Sequence, residues 1–97
     1  MASYFVALIE IKDPARYQQY LAGFDRIFDK YSGEVVSVED SPRVLEGIWP
    51  AARTVLIRFP NEQELRRWYD SEEYQELAEY RREASVAQIA VISGRDE

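Results

Sequence analysis

"SYFVALIEIKDPARYQQY", Ser3 to Tyr20, changes its period half-way along, and the fold follows from where it changes. From Ser3 to Ile11 aromatic and branched residues run together, the composition of a strand. Lys12-Asp13-Pro14 ends that run. Asp13 suits an N-cap, and Pro14 suits the first helical position, where its missing N–H costs nothing. Tyr17, Tyr20, Leu21, Phe24, Ile27, Phe28 and Tyr31 then recur at spacings of three and four. This stripe predicts a helix, ended by Ser32-Gly33.

The strand carries a second message. Successive side chains point to opposite faces, so Phe5, Ala7, Ile9 and Ile11 share one side and Tyr4, Val6 and Leu8 the other. Both sides are apolar. The rest of the chain repeats the pattern. "EVVSVED" (34–40) reads as a second strand turned by Ser41-Pro42, and "RVLEG" (43–47) as a short extension or edge strand. Trp49-Pro50 reads as a loop, and "ARTVLIRF" (52–59) as a third strand stopped by Pro60. Asn61 with Glu64 resembles a capping box opening a short helix through Leu65, Trp68 and Tyr69. Asp70-Ser71 can cap again, with Glu72 and Glu73 in a first turn where negative charge favours the helix dipole. Tyr74, Leu77 and Ala78 carry the next stripe to about residue 83, "SVAQIAVI" (85–92) is the last strand, and Gly94 opens a polar tail.

Strand, helix, strand, strand, helix, strand is the order of the ferredoxin-like α+β fold, βαββαβ, an antiparallel four-stranded sheet with helices on one face. Two helices can cover only one face. Val55, Ile57 and Phe59 oppose Leu56 in the third strand, and Ala87, Ile89 and Val91 oppose Val86, Ala90 and Ile92 in the last. The second apolar face needs a cover, and another copy of the chain supplies one. A homodimer through the sheet face, a dimeric α+β barrel, is therefore expected.

Composition narrows the chemistry. Ninety-seven residues suit a single domain (1–97), with an ordered core at about 3–93 and a short polar C-terminal tail. A hydrophobic share of 46% is globular, not disordered. Twelve basic against eighteen acidic residues leave a net charge of -6, which disfavours nucleic acid and anionic membrane surfaces as partners. The absence of cysteine removes disulfides, thiolate nucleophiles and thiolate metal sites. The absence of histidine removes the usual general base and the commonest metal ligand. Carboxylate, tyrosine and arginine remain, so neither a cofactor nor a metal is expected. The apolar stretch near Met1 has no basic residue before it and is too short to span a bilayer. A cytoplasmic address is the expectation.

The stretches "DPARYQQY", "YSGEV", "VLEGIWP", "VLIRFPNEQELRRWYDSEEYQEL" and "RREAS" resemble domain-of-unknown-function family 1330, of the dimeric α+β barrel superfamily. The likeness runs from about Tyr4 to Ile92, and its most specific piece is "EGIWP" followed by "FPN" and "WYDSEEYQ". Where the family usually has Gly-Gly, this chain has Ser32-Gly33. The resemblance implies a homodimer whose sheets close into a barrel, with a pocket per subunit between sheet and helices. Superfamily relatives include cofactor-independent monooxygenases, muconolactone isomerases and haem-dependent chlorite dismutases, and histidine-dependent versions of those chemistries do not transfer to this chain.

Seven residues are candidate ligand-binding groups: Tyr20, Trp49, Arg53, Trp68, Tyr69, Tyr74 and Arg81. Trp68 continues the spacing from Leu65 and reads as core, with Tyr69 at its margin; alternatively Tyr69 and Tyr74 rim a pocket. Arg81 stands where the stripe Tyr74, Leu77, Ala78 asks for an apolar residue. It either snorkels from a helix C-terminus or points inward and needs an anion. Arg53 shares a side with Val55, Ile57 and Phe59, with Glu46 as its expected local partner, or else it anchors a ligand carboxylate. Trp49, held extended before Pro50, is expected at the pocket mouth or across the dimer. Tyr20, with Tyr17, lies on the stripe of the first helix.

These residues suit a small-molecule-binding homodimer, of which a cofactor-free enzyme acting on an aromatic or polyketide-like small organic acid is one form. Tyrosines and arginines would orient the acid, and a carboxylate or tyrosinate would move a proton. The alternative is a non-catalytic dimeric binding or assembly module. No catalytic residue is singled out.

Overall fold

The computed structural model describes residues 1–95; Asp96 and Glu97, the end of the polar tail, lie outside the described residues. Strand β1 (Ser3–Ile11) leads into helix α1 (Pro14–Phe28), strands β2 (Glu34–Glu39) and β3 (Arg53–Phe59), helices α2 (Glu62–Tyr69) and α3 (Glu72–Ala84), and strand β4 (Ser85–Ser93). The sheet is antiparallel in the order β2-β3-β1-β4. All three helices lie on one face, as the strand–helix order predicts.

The caps work as their residue types require. Asp13 accepts from the Arg16 N–H with Pro14 behind it, Asn61 from the Glu64 N–H, and Ser71 from the Tyr74 N–H. The capping box is only half formed: the Glu64 carboxylate takes its bonds from Ser32 Oγ and Arg67. Two expectations need correction. Helix α1 ends at Phe28, because Tyr31 folds into a turn, its N–H bonded to Phe28 O and its hydroxyl donating to Glu73. "RVLEG" forms no strand; Val44 and Leu45 stand exposed in a loop that turns at Gly47, whose φ of 77° favours glycine.

The face of β1 that meets the helices is Phe5, Ala7 and Ile9. Antiparallel pairing sets Ile57 opposite Phe5 and Val55 opposite Ala7, so the helix-facing sets of both strands coincide. Trp68, fully buried, is the hub: its ring meets Phe5 at 5.2 Å and Phe28 at 5.5 Å edge-on, and stacks on Phe59 at 5.5 Å. The opposite face carries Tyr4, Val6, Leu8, Leu56, Ala90 and Ile92 side by side. Among the described residues no helix covers it, and Val86 and Ile92 are each 52% exposed.

Candidate functional site

Helix α1 runs back over the sheet from the Ile11 end of β1, roughly along β3. Its inner face presents Tyr17, then Tyr20 and Leu21, then Phe24 and Asp25 at successive turns. Between these residues and the strands lies a cavity of about 390 Å³. Its floor is Ala7, Ile9, Val55 and Ile57, and its side is Val35 and Val38 of β2. The bulge at Val36 lets both of these valines face inward, opposite Ile57 and Val55.

Three of the candidate residues reach this cavity: Tyr20, Arg53 and Arg81. Arg53 lies over the Tyr17 ring, 5.6 Å from its centroid, and donates to Asp40 at 2.7 Å. Glu46 is therefore not its partner. The register explains the difference: Glu39 pairs with Thr54, which sets Asp40 beside Arg53, while Glu46 sits in the exposed loop beyond. Arg81 is 4% exposed and lies 5.9 Å from the centroid of Tyr20. Among the described residues no carboxylate pairs with it, and its Nε is buried without an acceptor. The inward orientation holds; the snorkelling one does not.

Tyr74 stands behind the cavity wall, its hydroxyl hydrogen-bonded to the Tyr20 hydroxyl with 2.7 Å between the oxygens. The Arg81 guanidinium lies beside the same pair. Burial works against its charge, and the oxygens of Tyr74 and Tyr20 more than restore it, so it remains a cation. The phenols behave oppositely. Burial, then the Tyr74 hydroxyl, pushes Tyr20 well above the usual tyrosine range. Tyr74 and Tyr17 are also raised, by burial first, with Arg81 and Arg53 respectively pulling back. All three are protonated donors near neutral pH. A tyrosinate base is thus disfavoured, and Asp25 is the carboxylate among the cavity's described lining residues.

The other candidates lie elsewhere. Trp68 is core, its Nε1 buried without a partner among the described residues. Tyr69 packs on Phe5, Trp68 and Tyr74, and lines two hollows beside β4 instead of the cavity, one of which Arg81 also reaches. Trp49 is on the opposite side of the sheet: its Nε1 donates to Thr54 Oγ1 at 3.0 Å, and Thr54 pairs with Leu8 on the uncovered face. Tyr17 and Asp25 enter the lining without having been singled out. For Tyr17 a signal existed, since it shares the stripe with Tyr20. Asp25 lies one position past Phe24, where a charged residue reads as solvent-facing.

Residues 2–95 match the family described as "Domain of unknown function (DUF1330)". The chain belongs to the DUF1330 family. No curated protein matches it. Among solved structures, this DUF1330 chain resembles a Rhodopseudomonas palustris protein of unknown function at 14% identity and a TM-score of 0.78, covering 99% of this chain and 84% of that one. It resembles SnoaB, a cofactor-independent oxygenase from Streptomyces nogalater, at 15% identity and a TM-score of 0.65, covering 99% and 95%. A Mycobacterium tuberculosis protein follows at 16% identity, a TM-score of 0.59 and coverage of 100% and 98%. At such identities the likeness is one of fold: the ferredoxin-like arrangement of the dimeric α+β barrels. Among the described residues no helix is long and apolar enough to cross a membrane, and no group of three or more acidic, histidine or cysteine side chains could hold a metal.

Proposed function

We propose that this DUF1330 protein is a homodimer binding one small aromatic or polyketide-like acid per subunit, in the cavity beneath α1. The observation that carries the reading is Arg81. Its guanidinium is held almost fully out of water beside tyrosine oxygens, with no carboxylate next to it among the described residues, and an anionic ligand in the adjoining cavity would supply the charge partner it lacks. Arg53 already has Asp40, so Arg81 is the cavity cation without a carboxylate partner among the described residues. That suits a monoanion. The volume falls within the ~300–1,000 Å³ usual for small-molecule sites, and the tyrosine and phenylalanine walls suit a flat ring.

Catalysis without a cofactor fits the same geometry. The protonated hydroxyl of Tyr20 can donate to a developing oxyanion, with Tyr74 and Arg81 behind it. SnoaB's activity supports this reading only through the shared fold. The test is calorimetry of an aromatic carboxylate and its neutral amide on the native protein and on Arg81→Met. The acid should lose roughly 1.5–3 kcal/mol of binding and the amide almost nothing, since only the acid accepts a charge-assisted fork. Equal losses for both, with a lowered melting temperature, would mean a purely structural arginine and an assembly module instead.

A further inference from the structure

The cavity is polar at its two ends and apolar between them. Arg53 and Tyr17 mark one end, at the start of β3, with Arg81 next to Tyr20. Asp25 lies in the same lining about two helical turns further along α1, toward the end where Phe28 packs on Phe59. From Tyr17 to Asp25 the helix advances eight residues, about 12 Å at 1.5 Å per residue. Ala7, Val55, Val38 and Leu21 fill the interval. Among the described residues the Asp25 carboxylate makes no hydrogen bond or ion pair, although Arg26 follows it in sequence. Its acceptor capacity is open at the cavity mouth.

We infer that Asp25 selects the ligand: the acid bound by Arg81 carries a hydrogen-bond donor, a hydroxyl or an ammonium, at the end remote from its carboxylate. This deepens the proposed function and rests on it. A donor-bearing acid lies with its charges matched to the cavity, anion to guanidinium and donor to carboxylate. A simple acid of the same length leaves its apolar end against Asp25. A second carboxylate there meets like charge, so dicarboxylic acids are disfavoured.

The experiment compares para-aminomethylbenzoate with para-methylbenzoate by calorimetry near neutral pH, on the native chain, Asp25→Asn and Arg81→Met. Asp25 is solvent-exposed, so the increment should be that of a rim ion pair, about threefold tighter binding of the amine-bearing acid. Asp25→Asn should abolish that difference, bringing the ratio of the two affinities to about one. Arg81→Met should weaken both acids while keeping their ratio. Equal binding of the two acids to the native chain, or a ratio that survives Asp25→Asn, would overturn the role of Asp25 with Arg81's role intact. Insensitivity of both acids to Arg81→Met would overturn the acid site itself, and with it this inference.

Discussion

Arg81 and the tyrosines around it show how far burial can reverse what a residue type usually does. Tyrosine becomes a base only when its pKa falls, and here burial raises Tyr17, Tyr20 and Tyr74 instead. The consequence for stability has a definite sign. In the unfolded chain these phenols titrate at about 10, and in the folded chain later. Their contribution is therefore fully present below pH ~10 and is lost as pH rises through the folded values. Tyrosinate absorbance should show a late-titrating class that coincides with alkaline unfolding. All tyrosines ionising together before unfolding would contradict this. The inward Arg81 was legible as an anomaly in a helix stripe. That no carboxylate among the described residues pairs with it was not, because that depends on what β1, β3 and α1 place around it.

At the scale of elements, the close approach of α1 to β3 hangs on one small residue. A Cβ built on Gly33 would stand 2.6 Å from both the Phe28 and Phe59 rings, which are themselves locked against Trp68. Gly33→Ala must push that cluster apart and should cost about 1–3 kcal/mol, read as a lower midpoint in chemical denaturation. Ser32 is exposed and bonds Glu64, so Ser32→Gly should change stability by only a few tenths of a kcal/mol. The departure from Gly-Gly thus falls at the tolerant position of the pair. The break between α2 and α3 was readable from Asp70-Ser71. Asp70 caps the C-terminus of one helix and Ser71 the N-terminus of the next, so the "RWYDSEEYQEL" cluster is a hinge whose tryptophan is core.

For the molecule as a whole, the decisive feature is the uncovered face. The Cα envelope measures 35 × 33 × 16 Å, the thickness of one sheet and one layer of helices. The accessible surface is 6280 Å², against roughly 5,800 Å² expected for a compact chain of this mass. The excess accords with a flat shape and a projecting loop in which Leu45 and Ile48 are almost wholly exposed. If the face is the dimer interface, sedimentation at micromolar concentration should give twice the chain mass. Val6→Asp and Leu56→Asp, which pair across β1 and β3, should each shift the equilibrium toward monomer. A native chain that sediments as a monomer would remove the dimer from the proposal.

The sequence by itself determined the four strands of the sheet, the helices and their order, and the apolar character of both sheet faces, but not the end of α1 or the loop at "RVLEG". Those signals are local: a cap and a proline at Asp13-Pro14, a stripe at three and four, an alternation of two. Each is set by steric and hydrogen-bonding rules acting within a few residues. Contacts between distant residues were decided only by the tertiary structure. Tyr20 and Tyr74 are 54 positions apart, and only the packing of α1 on α3 joins their hydroxyls. Arg53 chose Asp40 over Glu46 because strand register, not distance along the chain, sets its neighbour. Trp49 went to the open face through its bond to Thr54, and Asp25 reached the cavity because α1 packs with Tyr17 and Leu21 over the sheet. Period and capping say which face a side chain takes, and only the assembled sheet and helices say what waits on that face.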